Sequence, residues 1–447
     1  MHLGRYAAIV AIAVANISIA RAEEPVTPRE AADAVLWSMP EHPRLAPSAA
    51  RASTPALTHV VFGYYPDYMG SDFSTVRFDL LTHVAYFTGG CTAAGGYSAG
   101  AWPFDGLVQA AHAQGAKAIL VIPCFGDAKI SAVLSNKAAF IEAVVAAISA
   151  GEKPDGLDLD FESMGAEHLG DFPTFVADLI AAVRAVVPGA EFSAALPAVD
   201  WDQSYDYPRL AATLDHLIIM GYDYHYRGGN PGPVSPLSYS GAWSNYSYDL
   251  EWSVNDYKTA IDDPAKDSKL VLGLPYYGYD WPSADFVIPG TSTASASSRI
   301  YWRAMDLAGG GATLDPGSQS KYYFYDDAGT PRQLWFDDAG TLMTKYEFAK
   351  AGGLGGIAIW ALKYDAARPE LWDAIRTEFA ISPTPAPSPT PVLVAGFTPV
   401  SMPVESAERS EKRGCDAGST SGVPAGLEGA LALAALALLA RRKNRTQ

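Results

Sequence analysis

Asp155-Gly156-Leu157-Asp158-Leu159-Asp160-Phe161-Glu162 is the stretch from which this chain is read. Its apolar residues alternate with acidic ones. Side chains on a strand point to opposite faces in turn, so a strand here puts Asp158, Asp160 and Glu162 on one face and Leu157, Leu159 and Phe161 on the other. A solvated strand with an acidic face is one explanation, but the neighbouring strands read as buried. A calcium loop also alternates acidic residues, but it uses glycine and polar residues between its ligands, not Leu, Leu and Phe. Three carboxyls turned inward repel one another and lose hydration, so at least one keeps its proton. Folding gains little from that arrangement, and chemistry is the better reason for it.

Seven more short apolar runs share the rhythm of this strand: His59–Tyr65, Leu81–Phe87, Ala118–Pro123, Glu191–Ala198, His216–Tyr222, Lys269–Tyr276 and Gly355–Leu362. Near-continuous apolar strands are the mark of a parallel sheet covered on both faces. Helical periodicity lies between several of them, as in Ala138–Ile148 and Phe172–Val187. Eight such units predict an α/β fold, a (β/α)8 TIM barrel spanning 57–380, with a doubly wound open sheet as the alternative. The interval after the seventh run is too long for one helix. Arg299–Trp302, Lys321–Tyr325 and Gln333–Phe336 read there as short strands between Gly, Pro and Asp turns, which predicts a small α+β insertion at about 281–349 between strands seven and eight.

The rest of the chain bounds its partners. A formal charge of -17 over 447 residues argues against nucleic acid, which needs a basic footprint. Among Cys91, Cys124 and Cys415 there is no metal-ligand spacing, and the histidines form no His-x-x-x-His pair, so neither a metal nor another cofactor is expected. Cys91 and Cys124 each follow an apolar run, which allows a disulfide and equally two free thiols. Residues 1–22 read as a signal peptide closing on Ala20-Arg21-Ala22, followed by an extension at 23–56. A Pro/Ser/Thr-rich linker covers 381–414. The segment 415–447 places Cys415 before an apolar run from Leu427 to Ala440 and a basic end of Arg441, Arg442, Lys443 and Arg445. That order resembles the myxobacterial C-terminal sorting tails (MYXO-CTERM). The resemblance implies a membrane contact before processing and a cell-surface or extracellular enzyme. A monomer is expected.

The acidic strand resembles the DxxDxDxE signature of glycoside hydrolase family 18, the chitinase-like TIM barrels. Other segments follow in order: Gly63-Tyr64-Tyr65, Met220-Gly221-Tyr222-Asp223, Gly273-Leu274-Pro275-Tyr276-Tyr277-Gly278, Trp335-Phe336-Asp337-Asp338, Lys345, and Gly355-Gly356 leading to Trp360. The resemblance implies a retaining hydrolase of β-1,4-linked N-acetylglucosamine polymers, with Glu162, Asp160, Asp158 and Tyr222 as its catalytic set. Glu162 would protonate the glycosidic oxygen, Asp160 would stabilise the substrate's acetamido group, and Asp158 would hold Asp160 in place. Tyr222 would bond the acetamido carbonyl. Substrate contacts are implied for Tyr64, Phe87, Met220, Asp223, Tyr276 and Trp360. Trp201, after the fifth run, and Trp281, after the seventh, are platform candidates by position, although packing is the commoner role of a lone Trp. The chain departs from the family's Ser-x-Gly-Gly turn after strand three, where it has Ile122-Pro123-Cys124-Phe125-Gly126-Asp127. Peptidoglycan or an N-glycan remains an alternative substrate, and a non-catalytic chitin-binding lectin an alternative class.

Overall fold

The computed structural model describes residues 55–102 and 106–381. The expected signal peptide, the linker and the Cys415 tail lie outside these residues, as does nearly all of the 23–56 extension. Among the described residues, no single helix is long and apolar enough to cross a membrane.

Eight parallel strands form the core: β1 (Val60–Pro66), β2 (His83–Phe87), β3 (Lys117–Phe125), β4 (Gly156–Glu162), β5 (Glu191–Pro197), β6 (His216–Met220), β7 (Leu270–Pro275) and β8 (Gly356–Trp360). Each lies on one of the apolar runs. Val60 to Gly63 of β1 pair with Gly356 to Ile359 of β8, so the sheet closes on itself and the open doubly wound alternative falls. Inside the ring, Phe62 and Tyr64 (β1), Ala85 and Phe87 (β2), Ile119 and Val121 (β3), Ile218 (β6), Val271 (β7) and Ala358 (β8) form one apolar cluster. Side chains therefore fill the barrel, as expected for a ring of eight strands.

β4 alternates as its sequence requires. Leu157, Leu159 and Phe161 are buried against the helix layer. The Phe161 ring lies 5.5 Å from Phe172 and 5.7 Å from Phe175 of the helix Asp171–Val186. Burying an aromatic ring of this size stabilises the fold by about 3 kcal/mol. The acidic face points the other way. Asp158 lies opposite Ser193 of β5, and Glu162 opposite Phe125 of β3.

β7 runs almost directly into a second sheet, with only Tyr276 between them. This antiparallel sheet has the order Ser297–Ile300, Tyr277–Pro282, Thr330–Phe336, Ser320–Asp327, Thr313–Asp315, with the helix Tyr301–Ala308 inserted in it. It starts at Tyr277, earlier than the sequence reading placed it. The helix Ala339–Ala351 belongs to the barrel layer instead, packing on β7 and β8. Asp338 caps that helix, accepting from the Thr341 amide at 2.9 Å while Thr341 Oγ1 accepts from the Asp338 amide at 3.0 Å. A cap of this kind contributes about 1 kcal/mol.

Cys91 and Cys124 form a disulfide with a Cα separation of 5.1 Å. It ties the hairpin Gly90–Cys91/Tyr97–Ser98 to β3, the strand beside the acidic one. The close approach needs Gly90, whose φ is +118° and whose Cβ, if present, would lie 2.2 Å from the Pro123 carbonyl oxygen.

Candidate active site

Four carboxyls gather at the C-terminal end of the barrel, where active sites of this architecture sit. Asp158 is deepest and fully buried. Its oxygens accept from Tyr64 Oη at 2.9 Å and Ser193 Oγ at 2.5 Å. Burial pushes its pKa up to about 6, although both donors pull the other way. Asp160, one pleat nearer the mouth, is held well above the usual carboxylate range by burial first, then by the charges of Glu162 and Asp158. Its Oδ1 is buried without a hydrogen-bond partner. Glu162 opens onto the cleft. Burial, then the charge of Asp223, raises its pKa to about 7, and a hydrogen bond with Asp160 lowers it. Asp160 and Glu162 thus titrate as a pair, and between them a proton stays on near neutral pH.

Asp223 follows β6 with φ of +60°, a left-handed backbone that Asp tolerates better than most residues. Its carboxylate is exposed to the cleft on one side and surrounded by protein on the others. Tyr277 Oη donates to it at 2.5 Å and Tyr279 Oη at 3.4 Å. Burial raises its pKa to about 6 against these two donors. Tyr222 stands among all four carboxyls, and burial with their charges holds its phenol protonated. The Tyr222 ring lies 6.1 Å from that of Tyr277. Trp360 ends β8 with a cis peptide bond to Ala361. It rests on Tyr64 (centroids 5.6 Å) and Phe87 (5.1 Å, edge-to-face).

A cavity of about 370 Å³ opens on the β5–β6 side. Glu162, Met220, Tyr222 and Asp223 line it, and Trp201, Tyr226 and Tyr248 form its outer wall. Trp201 is 71% exposed and meets the Tyr248 ring edge-on at 4.8 Å.

The fold brings together Asp158, Asp160, Glu162, Tyr222, Asp223, Met220 and Trp360. Tyr64 and Phe87 are buried beneath Trp360 rather than lining open cleft. Two expected contacts are corrected. Tyr276 faces the helix layer, where its hydroxyl lies 3.2 Å from that of Tyr346, because its strand position has the parity opposite to Tyr277. Trp281 shares the Tyr277 and Tyr279 face but is wholly buried against Tyr279, leaving no surface for a sugar ring. Ser193, Tyr277 and Tyr279 were missed. The alternation in Tyr277-Gly278-Tyr279 was the available signal for the two tyrosines.

The chain is similar to known proteins in sequence and in fold. The chain is 28% identical to the di-N-acetylchitobiase of Rattus norvegicus over 308 residues, 60% of this chain and 79% of that one. It is 27% identical to the cortical fragment-lytic enzyme of Bacillus subtilis over 182 residues, 40% of this chain and 38% of the enzyme. The chain spans less than half the length of that enzyme, and 46% of a protein of the same organism named for a sporulation-specific glycosylase. Among solved structures, a family 18 chitinase of Cycas revoluta in complex with (GlcNAc)3 superposes with a TM-score of 0.61 at 21% identity, covering 71% of this chain and 99% of that one. A chitinase-like agglutinin of Robinia pseudoacacia superposes equally well, with a TM-score of 0.61 at 22% identity and the same 71% coverage of this chain against 98% of its own, so these likenesses speak to fold alone. The family model for glycosyl hydrolases family 18 matches residues 49–365, most of the chain, and the protein belongs to that family.

Proposed function

We propose that the protein is a retaining glycoside hydrolase that cleaves β-1,4-linked N-acetylglucosamine, as in chitin and its oligosaccharides, with the substrate's own acetamido group as nucleophile. The observation that carries the reading is Glu162 lining the cleft beside a buried Asp160 whose Oδ1 has no hydrogen-bond partner, with burial and the charge of Asp223 raising the Glu162 pKa to about 7. A general acid works best when its pKa lies near the working pH.

In this reading Glu162 gives its proton to the glycosidic oxygen as the bond from that oxygen to the anomeric carbon breaks. The acetamido oxygen closes onto the anomeric carbon from the other face, forming an oxazolinium ion. This separates the reaction from the scheme in which a second carboxylate is the nucleophile. Asp160 accepts from the acetamido N–H through its unpartnered Oδ1 and offsets the positive charge that develops there. Asp158, fixed by Tyr64 and Ser193, positions Asp160 and keeps it from relaxing away. Tyr222 donates to the acetamido oxygen. Glu162 then takes a proton from water, which adds to the anomeric carbon, reopens the ring and leaves the configuration retained. Trp360 gives the reacting sugar an apolar floor.

The match to a cortical fragment-lytic enzyme favours a second substrate with the same acetamido sugar, bacterial cell-wall glycan. The signal-like start and sorting-like tail support export to a surface where either polymer is met. Turnover of a chromogenic chitobioside and of purified peptidoglycan, measured side by side, separates the two. Turnover of peptidoglycan alone moves the substrate assignment. Oligosaccharide binding with no turnover of either replaces the enzyme by a lectin.

A further inference from the structure

The opposite mouth of the barrel holds a second constellation that the chemistry above does not use. His83 at the start of β2, Glu191 at the start of β5 and His216 at the start of β6 each bring one ligand atom to a point where all three lie within 4.8 Å of one another. They roof a solvent-open cavity of about 980 Å³. The two imidazole rings meet edge-to-face with centroids 5.5 Å apart.

Contacts at both ring nitrogens hold His83 in place. Thr82 Oγ1 accepts from the Val61 amide at 2.9 Å and donates to the Val61 carbonyl at 3.0 Å. The same Oγ1 lies 2.8 Å from His83 Nδ1. The other ring nitrogen, Nε2, lies 2.8 Å from Glu191 Oε2. A proton shared by the two atoms accounts for this contact, and a zinc ion taking its place would part them by about half an ångström, since ligands about 2.0–2.1 Å from a tetrahedral zinc stand about 3.3 Å apart. The other carboxylate oxygen, Oε1, is held by the Lys117 ammonium, so Oε2 is the one turned to the site. His216 supplies the third arm, and its Nδ1 is buried with no hydrogen-bond partner.

We propose that His83, Glu191 and His216 bind a divalent transition-metal ion of the zinc class at the N-terminal mouth of the barrel. Two imidazole nitrogens and one carboxylate oxygen are a ligand set that zinc takes readily, with a fourth position open to water from the cavity. The Thr82 contact to the far nitrogen of His83 and the Lys117 contact to the far oxygen of Glu191 are the outer partners that orient such ligands. The three ligands sit on strands distant in sequence, so no ligand spacing could reveal them. The ion would join β2, β5 and β6 across the barrel floor and add stability without touching the cleft.

The test takes the full chain, stripped with a chelator and dialysed against zinc chloride. Metal per chain, the melting temperature and chitobioside turnover are read together. One zinc per chain is expected, with Tm raised by about 4 °C at a hundredfold excess over Kd. His216→Ala, which keeps the His83–Glu191–Lys117 contacts, loses both the zinc and the rise, with turnover unchanged. His168→Ala, in the other histidine–carboxylate group with Asp127 and Glu167, keeps both. Cobalt in place of zinc gives visible absorption bands in the unmodified chain, a readout that needs no variant. Absence of bound zinc, or equal zinc in His216→Ala, overturns the site, and the 2.8 Å contact then holds a proton instead.

Discussion

The molecule buries carboxylates in two ways. In the inserted sheet, Asp280 is fully buried and ringed by cations. Arg299 reaches it at 2.7 Å and Arg332 at 2.9 Å, with Tyr325 Oη donating at 2.9 Å. Nearby, the buried ammonium of Lys345 pairs with Asp337. At the barrel mouth, Asp158, Asp160, Glu162 and Asp223 are shifted by burial, by one another and by hydroxyl donors, with no lysine or arginine taking part. A cation within salt-bridge distance holds a carboxylate in place, which suits a structural anchor. A carboxyl deprived of cations and crowded by its like keeps a proton that it can transfer.

Removing the proton donor is the sharpest way to break the comparison. Glu162→Gln should lower turnover of a chitobioside by about 10³-fold, with tetrasaccharide binding retained by calorimetry. Near-native turnover would dismiss Glu162 as the acid. Next in size, Asp280→Ala strands two arginines in the sheet and should cost about 3–5 kcal/mol in urea unfolding. Asp160→Asn, which removes an acid already paying for its burial, should leave stability equal or higher while turnover drops by about 10²-fold. If Asp160→Asn unfolds as readily as Asp280→Ala, the two kinds of burial are not different.

The pH dependence follows with its sign. Asp158, Glu162 and Asp223 have folded pKa values of about 6, 7 and 6, above their unfolded values. The folded state therefore binds more protons between pH of about 4 and 7, so their contribution to stability is whole below about pH 4 and fades as pH rises through their folded pKa values. Urea midpoints at pH 5 and pH 8 should differ less in Asp158→Asn than in the unmodified chain. Turnover should fall on the alkaline side of about pH 7 as Glu162 loses its proton. The smallest effect is expected for Tyr277→Phe. It removes the 2.5 Å donor to Asp223, and a loss of about fivefold in kcat/KM corresponds to one hydrogen bond. No change there would detach the inserted sheet from the chemistry.

The sequence made the acidic strand legible because alternation at period two needs nothing beyond neighbours in the chain. Near-continuous apolar runs, equally local, marked the other seven barrel strands. This local reading failed where a second sheet begins at Tyr277 and where partners arrive from elsewhere. Tyr276 and Trp281 were expected in the cleft, at the end of the seventh run and just beyond it. The strand continues, and pleat parity with local covering, not proximity to β7, decides which rings meet a substrate. Ser193 was invisible for another reason: a serine inside a strand signals nothing until the register sets it opposite Asp158.

Ring closure joins the first strand to the last, Val60 beside Gly356, and a bridge from Leu57 to Ala380 fastens the seam. A nascent chain therefore stays an open half-shell until β8 is made, with β1 and β7 as two bare hydrogen-bonding edges. Any truncation upstream of Gly356 would leave those edges permanently exposed, inviting intermolecular strand pairing before any sugar could be bound.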